Sequence, residues 1–139
     1  EPKFDDIIVD VGGRDSVTLR SALLEADLLI IPFLPSQYDA WGIQRMDDLL
    51  GEVKTLNTHL KTIGVMNKVD ANPRTGMTQE ASEIADNFRN IRLLDGGVGY
   101  RVAFRRSVAD GLAVTEMKHK DKKAIQEIEN VYKEVFQDA

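Results

Sequence analysis

Two short stretches hold residues able to do chemistry. The first is Asp10-Val11-Gly12-Gly13, directly after the β-branched run Ile7-Ile8-Val9. An apolar run without polar alternation predicts a strand covered on both faces, as in a parallel sheet. A carboxylate at the carboxyl end of such a strand sits where open α/β sheets bind ligands. The paired glycines let the backbone turn sharply and approach a ligand closely. In that setting Asp10 can hold Mg2+ through water, with the Gly13 N–H near a terminal phosphate. The same stretch also reads as a strand-to-helix turn in which the aspartate caps the next helix. The second stretch is Asn67-Lys68-Val69-Asp70, which follows the predicted strand Thr62–Met66 and offers an amide and a carboxylate at a strand end.

The elements that must position these groups alternate. Asp15 or Ser16 can cap a helix to about Ala26, with Leu19, Ala22, Leu23 and Ala26 on one face and Arg20 on the solvent side. Asp27–Leu34 predicts a second buried strand, its end restricted by Pro32 and Pro35. A long amphipathic helix is expected over Ala40–His59, with Met46, Leu49, Leu50, Val53, Leu56 and Leu60 as its stripe. After Thr62–Met66, residues Ala71–Thr78 carry Asn-Pro and Thr-Gly and predict a loop. A helix at about Gln79–Arg89 would bury Ala81, Ile84, Ala85 and Phe88. Ile91–Leu94 predicts a fourth strand closed by Asp95-Gly96-Gly97. A helix over Tyr100–Asp110 would stop at Gly111 in a left-handed cap. The last helix, Asp121–Phe136, would bury Ile125, Ile128, Tyr132, Val135 and Phe136. Strands alternating with helices specify a mostly parallel sheet with helices on both faces, in one α/β domain over residues 1–139.

Composition narrows the function classes. The 139 residues are 42% hydrophobic and 29% charged, as in an ordinary globular domain. A net charge of −5 argues against a basic nucleic-acid binder, though not against a local basic patch. The absence of cysteine excludes disulfides, thiolate zinc sites and cysteine nucleophiles. No apolar run approaches the roughly 20 residues of a membrane span, so a cytoplasmic protein is expected. The chain opens with Glu-Pro-Lys-Phe and meets its first expected strand at once, which predicts the later part of a longer α/β protein.

Three segments in order carry a resemblance: Asp10-Val11-Gly12-Gly13, then Ala26–Pro32, then Pro35-Ser36 followed by Asp39. Together with Tyr100–Arg105 and Ala109–Val114, this order resembles the ParA/MinD family of deviant P-loop ATPases, over nearly the whole chain. The resemblance implies a P-loop NTPase-like fold and an ATP- and Mg2+-dependent switch that positions plasmids or chromosomes. In that scheme ATP closes a homodimer, which binds non-specific DNA and a partition adaptor protein. It also implies that Asp10 is the Walker B acid near Mg2+, that Gly13 lies in the switch, and that Asn67 bonds the base. The Pro35–Asp39 loop would lie near a partner surface. One departure stands out: no Gly-x-x-x-x-Gly-Lys-Ser/Thr occurs, and Tyr100 follows Gly96-Gly97-Val98-Gly99 where a lysine is needed. This chain alone is therefore expected neither to bind ATP tightly nor to hydrolyse it.

Two alternatives stay open. Asn67-Lys68-Val69-Asp70 is the Asn-Lys-x-Asp of GTPases, in which Asp70 would read guanine. Alternatively, a non-catalytic adaptor on the same fold would bind protein through Pro35–Trp41. Arg101, Arg105 and Arg106, with Lys118, Lys120, Lys122 and Lys123, are candidates for a DNA patch diluted by Asp121, Glu127 and Glu129. A solvated surface accounts for the same residues. Arg14 can meet phosphate, a partner or solvent. Trp41 is expected as a core anchor, the pairs Asp5/Asp6 and Asp47/Asp48 as solvated, and His59 and His119 lack metal-spaced partners.

Overall fold

The computed structural model describes residues 3–70, 83 and 86–136. Its centre is a three-stranded parallel sheet in the order β1-β2-β3, formed by β1 (Leu28–Phe33), β2 (Lys61–Val69) and β3 (Arg92–Gly99). Around it lie α1 (Val17–Glu25), α2 (Gln37–Val53), α3 (Val102–Ala109) and α4 (Lys122–Phe136). The mostly parallel α/β architecture expected from the alternating pattern is therefore present.

Side chains alternate across a strand, and β2 shows what that does to the core. Ile63 and Val65 join Leu94 and Val135 in one cluster, under α4. Met66 joins Leu19 and Leu23 of α1, Phe33 of β1 and the α2 residues Ile43, Leu49, Leu50 and Val53 in the other. The sheet is thus packed on both faces. Each fully buried leucine here stabilises the fold by roughly 1.5–3 kcal/mol.

Local chemistry sets the boundaries. Ser16 caps α1, its Oγ accepting from the Leu19 N–H at 3.1 Å. Ser36 caps α2 in the same way, accepting from the Asp39 N–H and donating to Asp39 Oδ2 at 2.8 Å. The cap starts α2 at Gln37, before the expected Ala40, and the helix stops at Val53 rather than His59. Asn57 explains the early stop. Its Nδ2 donates to the Leu23 and Ala26 carbonyl oxygens at 2.9 and 2.8 Å, satisfying carbonyls at the end of α1. Leu56, expected on the apolar stripe, is exposed as a result.

Three other expectations change. Ile7, Ile8 and Val9 form no strand and are 80%, 95% and 63% exposed. A parallel strand needs a neighbour to complete its backbone hydrogen bonds and cover on both faces. This run pairs with neither β1 nor β3, and only Val11 packs against the core. β3 does not close at Leu94 but continues through Gly99, because pairing with β2 resumes beyond a register shift, Met66 opposite Gly97 and Asn67 opposite Val98. On α4 the inward residues are Ala124, Val131 and Val135, while Ile128, Tyr132 and Phe136 form an exposed ridge one turn apart. The expected left-handed stop holds: Gly111 has φ of 66°. The expected loop Ala71–Thr78 lies outside the described residues, as do Ala81, Ile84 and Ala85 of the expected helix. Phe88 packs against the cluster of α1 and α2 residues.

Candidate functional site

In an open parallel sheet ligands bind beyond the carboxyl ends of the strands. Here that edge gathers Leu34–Ser36 after β1, Asn67–Asp70 at the end of β2, and Gly99–Arg101 after β3. Tyr100 is fastened to the β2 end, its N–H donating to the Val69 carbonyl at 3.0 Å.

The end of β2 is the irregular part. Asn67 pairs with Val98 and Val69 with Gly99, so Lys68 is one residue too many, a bulge. Lys68 has φ of 52°, left-handed backbone that costs a non-glycine residue about 1 kcal/mol or more. Its N–H donates to Asn67 Oδ1 at 2.8 Å, which leaves the Asn67 amide nitrogen as an available donor. Strain of this kind collects where a chain must present a side chain to a ligand.

The β3 side is locked by an ion pair. Arg101 Nε and Nη2 meet Glu127 of α4 at 2.9 and 2.6 Å, both side chains about three-quarters buried. Glu127 also accepts from the Gly99 N–H at 3.1 Å. The Arg101 hydrogen bonds, with help from the Gly99 N–H, hold the Glu127 carboxyl below its usual range despite partial burial. Sequence reasoning had Glu127 diluting a basic patch; it anchors Arg101 instead.

Gly97 is a second residue that sequence reasoning passed over. A Cβ there would lie 2.7 Å from the Met66 carbonyl oxygen and 2.9 Å from Val69 Cγ2, so β2 and β3 approach where only glycine fits. By contrast, nothing lies within 4 Å of a Cβ at Gly12 or Gly13, and neither backbone is left-handed.

The remaining candidates fall as follows. Asp10 and Gly13 are exposed and follow a run that is not a strand, so the strand expected to present them to a phosphate is not formed. Arg105 lies over the Tyr100 ring at 5.4 Å, and Arg106 is exposed in the last turn of α3. Trp41 is not a core anchor: it is 54% exposed and meets the exposed Tyr38 edge to face at 5.7 Å. The Ser36 cap turns the first turn of α2, with these rings, outward. Asp47 is not solvated either. It is buried, and its carboxylate accepts from the Arg89 N–H at 3.1 Å and the Asn90 N–H at 2.7 Å. The signal was available, since Asp47 sits four residues after Ile43 and three before Leu50, on the buried stripe of α2.

Among the described residues no group of three His, Asp or Glu side chains is arranged to hold a metal ion. None of the described helices is long and apolar enough to cross a membrane.

No protein-family model matches the chain. Maintenance of carboxysome distribution protein A of Halothiobacillus neapolitanus is 26% identical over 137 residues, 98% of this chain and 62% of that protein. A ParA family protein of Mycoplasma genitalium is 31% identical over 83 residues, 60% of this chain and 30% of that protein. The chain is similar to ParA family proteins over part of their length. Protein IncC of Escherichia coli is 29% identical over 117 residues, 83% of this chain and 31% of that protein. The chain spans less than two thirds of the length of each of these ParA relatives and similar proteins. The ParA resemblance read from Asp10 to Val114 and these similarities point the same way.

Proposed function

We propose that this chain carries the Walker B and switch half of a ParA-type ATPase that positions plasmid, chromosomal or other large cargo. The observation that carries the reading is the carboxyl edge of the parallel sheet. There the bulge at Lys68 frees the Asn67 amide to donate, and Glu127 fixes the neighbouring β3 loop. The relatives support a partitioning or positioning role, one of them being named for the distribution of carboxysomes.

The residues present fit the base end of a nucleotide, where Asn67 would bond the ring edge. They do not fit its phosphates, since the sequence holds no lysine-bearing glycine loop and Gly12 and Gly13 face open space. Bound Mg-ATP would supply the energy and charge of the switch. Asp10 would be the carboxylate of this half near the metal, and the rest of the phosphate grip would come from residues outside this chain. That protein would dimerise with ATP and meet DNA through Arg105 and Arg106, with Arg101 shaping the loop beneath them, and an adaptor would bind the dimer.

The test is a titration of fluorescent ATP with Mg2+, on this chain and on the complete gene product that carries it, with GTP as competitor. Tight binding by the complete product alone, with ATP beating GTP, supports the proposal. Preference for GTP would move Asn67 and Asp70 to guanine recognition, and no binding by either would overturn it. A second reading has its own observation: the exposed Tyr38–Trp41 pair at the start of α2 is the kind of aromatic anchor that protein interfaces use. Loss of adaptor binding in Trp41→Ala with ATP binding intact would assign that surface to protein recognition.

A further inference from the structure

The opposite end of the sheet, where the strands begin, holds a cavity of about 520 Å3. Lys54, Lys61, Arg89 and Arg92 line it above an apolar floor that includes Ile63 and Ile91, and no carboxylate contributes to the lining. Lys61 opens β2, Arg92 opens β3 and Lys54 ends α2, so residues of three separate elements with cationic side chains line one space.

These charges lack counterions. Among the described residues the ion pairs are those of Arg20 with Asp15 and Glu52, and of Arg101 with Glu127; none involves the four cations. The Lys54 ammonium is half-buried and fixed by neutral acceptors, Thr62 Oγ1 at 2.9 Å and the Asn90 carbonyl at 2.6 Å. Arg92 gives one Nη2 hydrogen bond, to the Glu134 carbonyl at 2.9 Å, leaving most of its guanidinium fork unused. Asp47 and Asp48 line the adjoining cavity with Arg89, and Asp47 is already taken up by backbone N–H groups, while Asp27 and Glu134 meet Lys61 and Arg92 through backbone carbonyls.

Four cations in one recess, none in an ion pair among the described residues, concentrate a local positive potential in a chain with net charge −5. Guanidinium forks match phosphoryl oxygens in geometry, and the volume is that of a small-ligand site. We propose that this cavity is an anion site for phosphoryl groups, separate from the carboxyl-edge loops assigned to nucleotide. The phosphoryl group comes either from a small phosphate ligand or from a nucleic-acid backbone.

The test is calorimetric titration of the full chain with pyrophosphate in EDTA, which removes any contribution from an Mg2+-dependent nucleotide site. Saturable binding is expected. Arg89→Gln and Arg92→Gln should each weaken it by about tenfold, the loss of a charge-assisted contact. Lys61→Gln should weaken it without touching the Lys54 framework, and Arg45→Gln, on the exposed face of α2, should leave it unchanged. Circular dichroism checks that each variant is folded. Displacement of pyrophosphate by a short DNA duplex would identify a nucleic-acid backbone as the source, and failure to displace it a small phosphate ligand; both support the site. Absence of saturable binding, or binding retained in the folded Arg89→Gln/Arg92→Gln double variant, would overturn it.

Discussion

Replacing Asp47 by alanine should be among the most damaging single changes in this chain. The side chain is 2% exposed, and its two oxygens accept from the Arg89 and Asn90 N–H groups, across more than forty residues of sequence. Those donors sit at the turn that delivers the chain into β3. Each is a hydrogen bond to a charged acceptor, worth roughly 1.5–3 kcal/mol, and alanine leaves both donors without it. Allowing for water reaching the half-exposed turn, the expected loss is about 3–4 kcal/mol, a large share of a typical domain's 5–15. The Asn90 Nδ2 contact to the Asp47 backbone carbonyl, at 2.9 Å, survives the substitution and does not enter the sum. Asp47→Asn keeps one acceptor for Asn90 but turns an amide towards the Arg89 N–H, so its loss should be intermediate. Urea denaturation of the three proteins at neutral pH measures these values. A loss below about 1 kcal/mol in Asp47→Ala would refute the reasoning, because the carboxylate would then not be what holds the turn.

Two further outcomes follow from the β2–β3 edge. Gly97→Ala should destabilise the fold by about 1–3 kcal/mol, since the new methyl meets the rigid Met66 carbonyl rather than a movable side chain. Thermal melting reads this, with Gly96→Ala, where the space is open, as a control that should stay near wild type. Glu127→Gln should cost about 1 kcal/mol at pH 7, and the cost should depend on pH. Arg101 and the Gly99 N–H hold the folded carboxyl below its ordinary 4.5, so the unfolded chain takes up the proton first as pH falls. The contribution is complete above about 4.5 and fades as pH drops through the folded value. A stability gap between wild type and variant that stays constant from pH 7 to pH 3 would count against the pair.

What was legible in the sequence was whatever repeats along the chain. The apolar runs of β1 and β2, the stripe of α2 and the Gly111 stop are local signals, and each appears nearly in place. What was not legible depends on neighbours distant in sequence. Ile7–Val9 looks like β1 by composition, but a strand exists only where it pairs with another, and this run pairs with neither β1 nor β3. Gly96–Gly99 looked like a loop because glycine usually marks one; Gly97 is there because the Met66 backbone comes too close for a side chain. On α4 the periodicity was right and the face was off by about one position, since Ile128 and Tyr132 lie beside the inward residues rather than among them. Asn67 was expected just after the strand Thr62–Met66, and it lies inside β2, near the carboxyl end, because the strand runs on to Val69. The partner of Arg101 was not legible, because Glu127 lies 26 residues later on another helix.

The extra residue at Lys68 also changes how distance along β2 should be counted. Ile63 and Val65 face the α4 side, so strict alternation would send Val69 there too. Val69 instead packs with Met66 on the α1–α2 side. The bulge has reversed the phase of the strand. Deleting Lys68 would restore strict alternation and leave Val69 on the side of Met66, in the cluster it now joins.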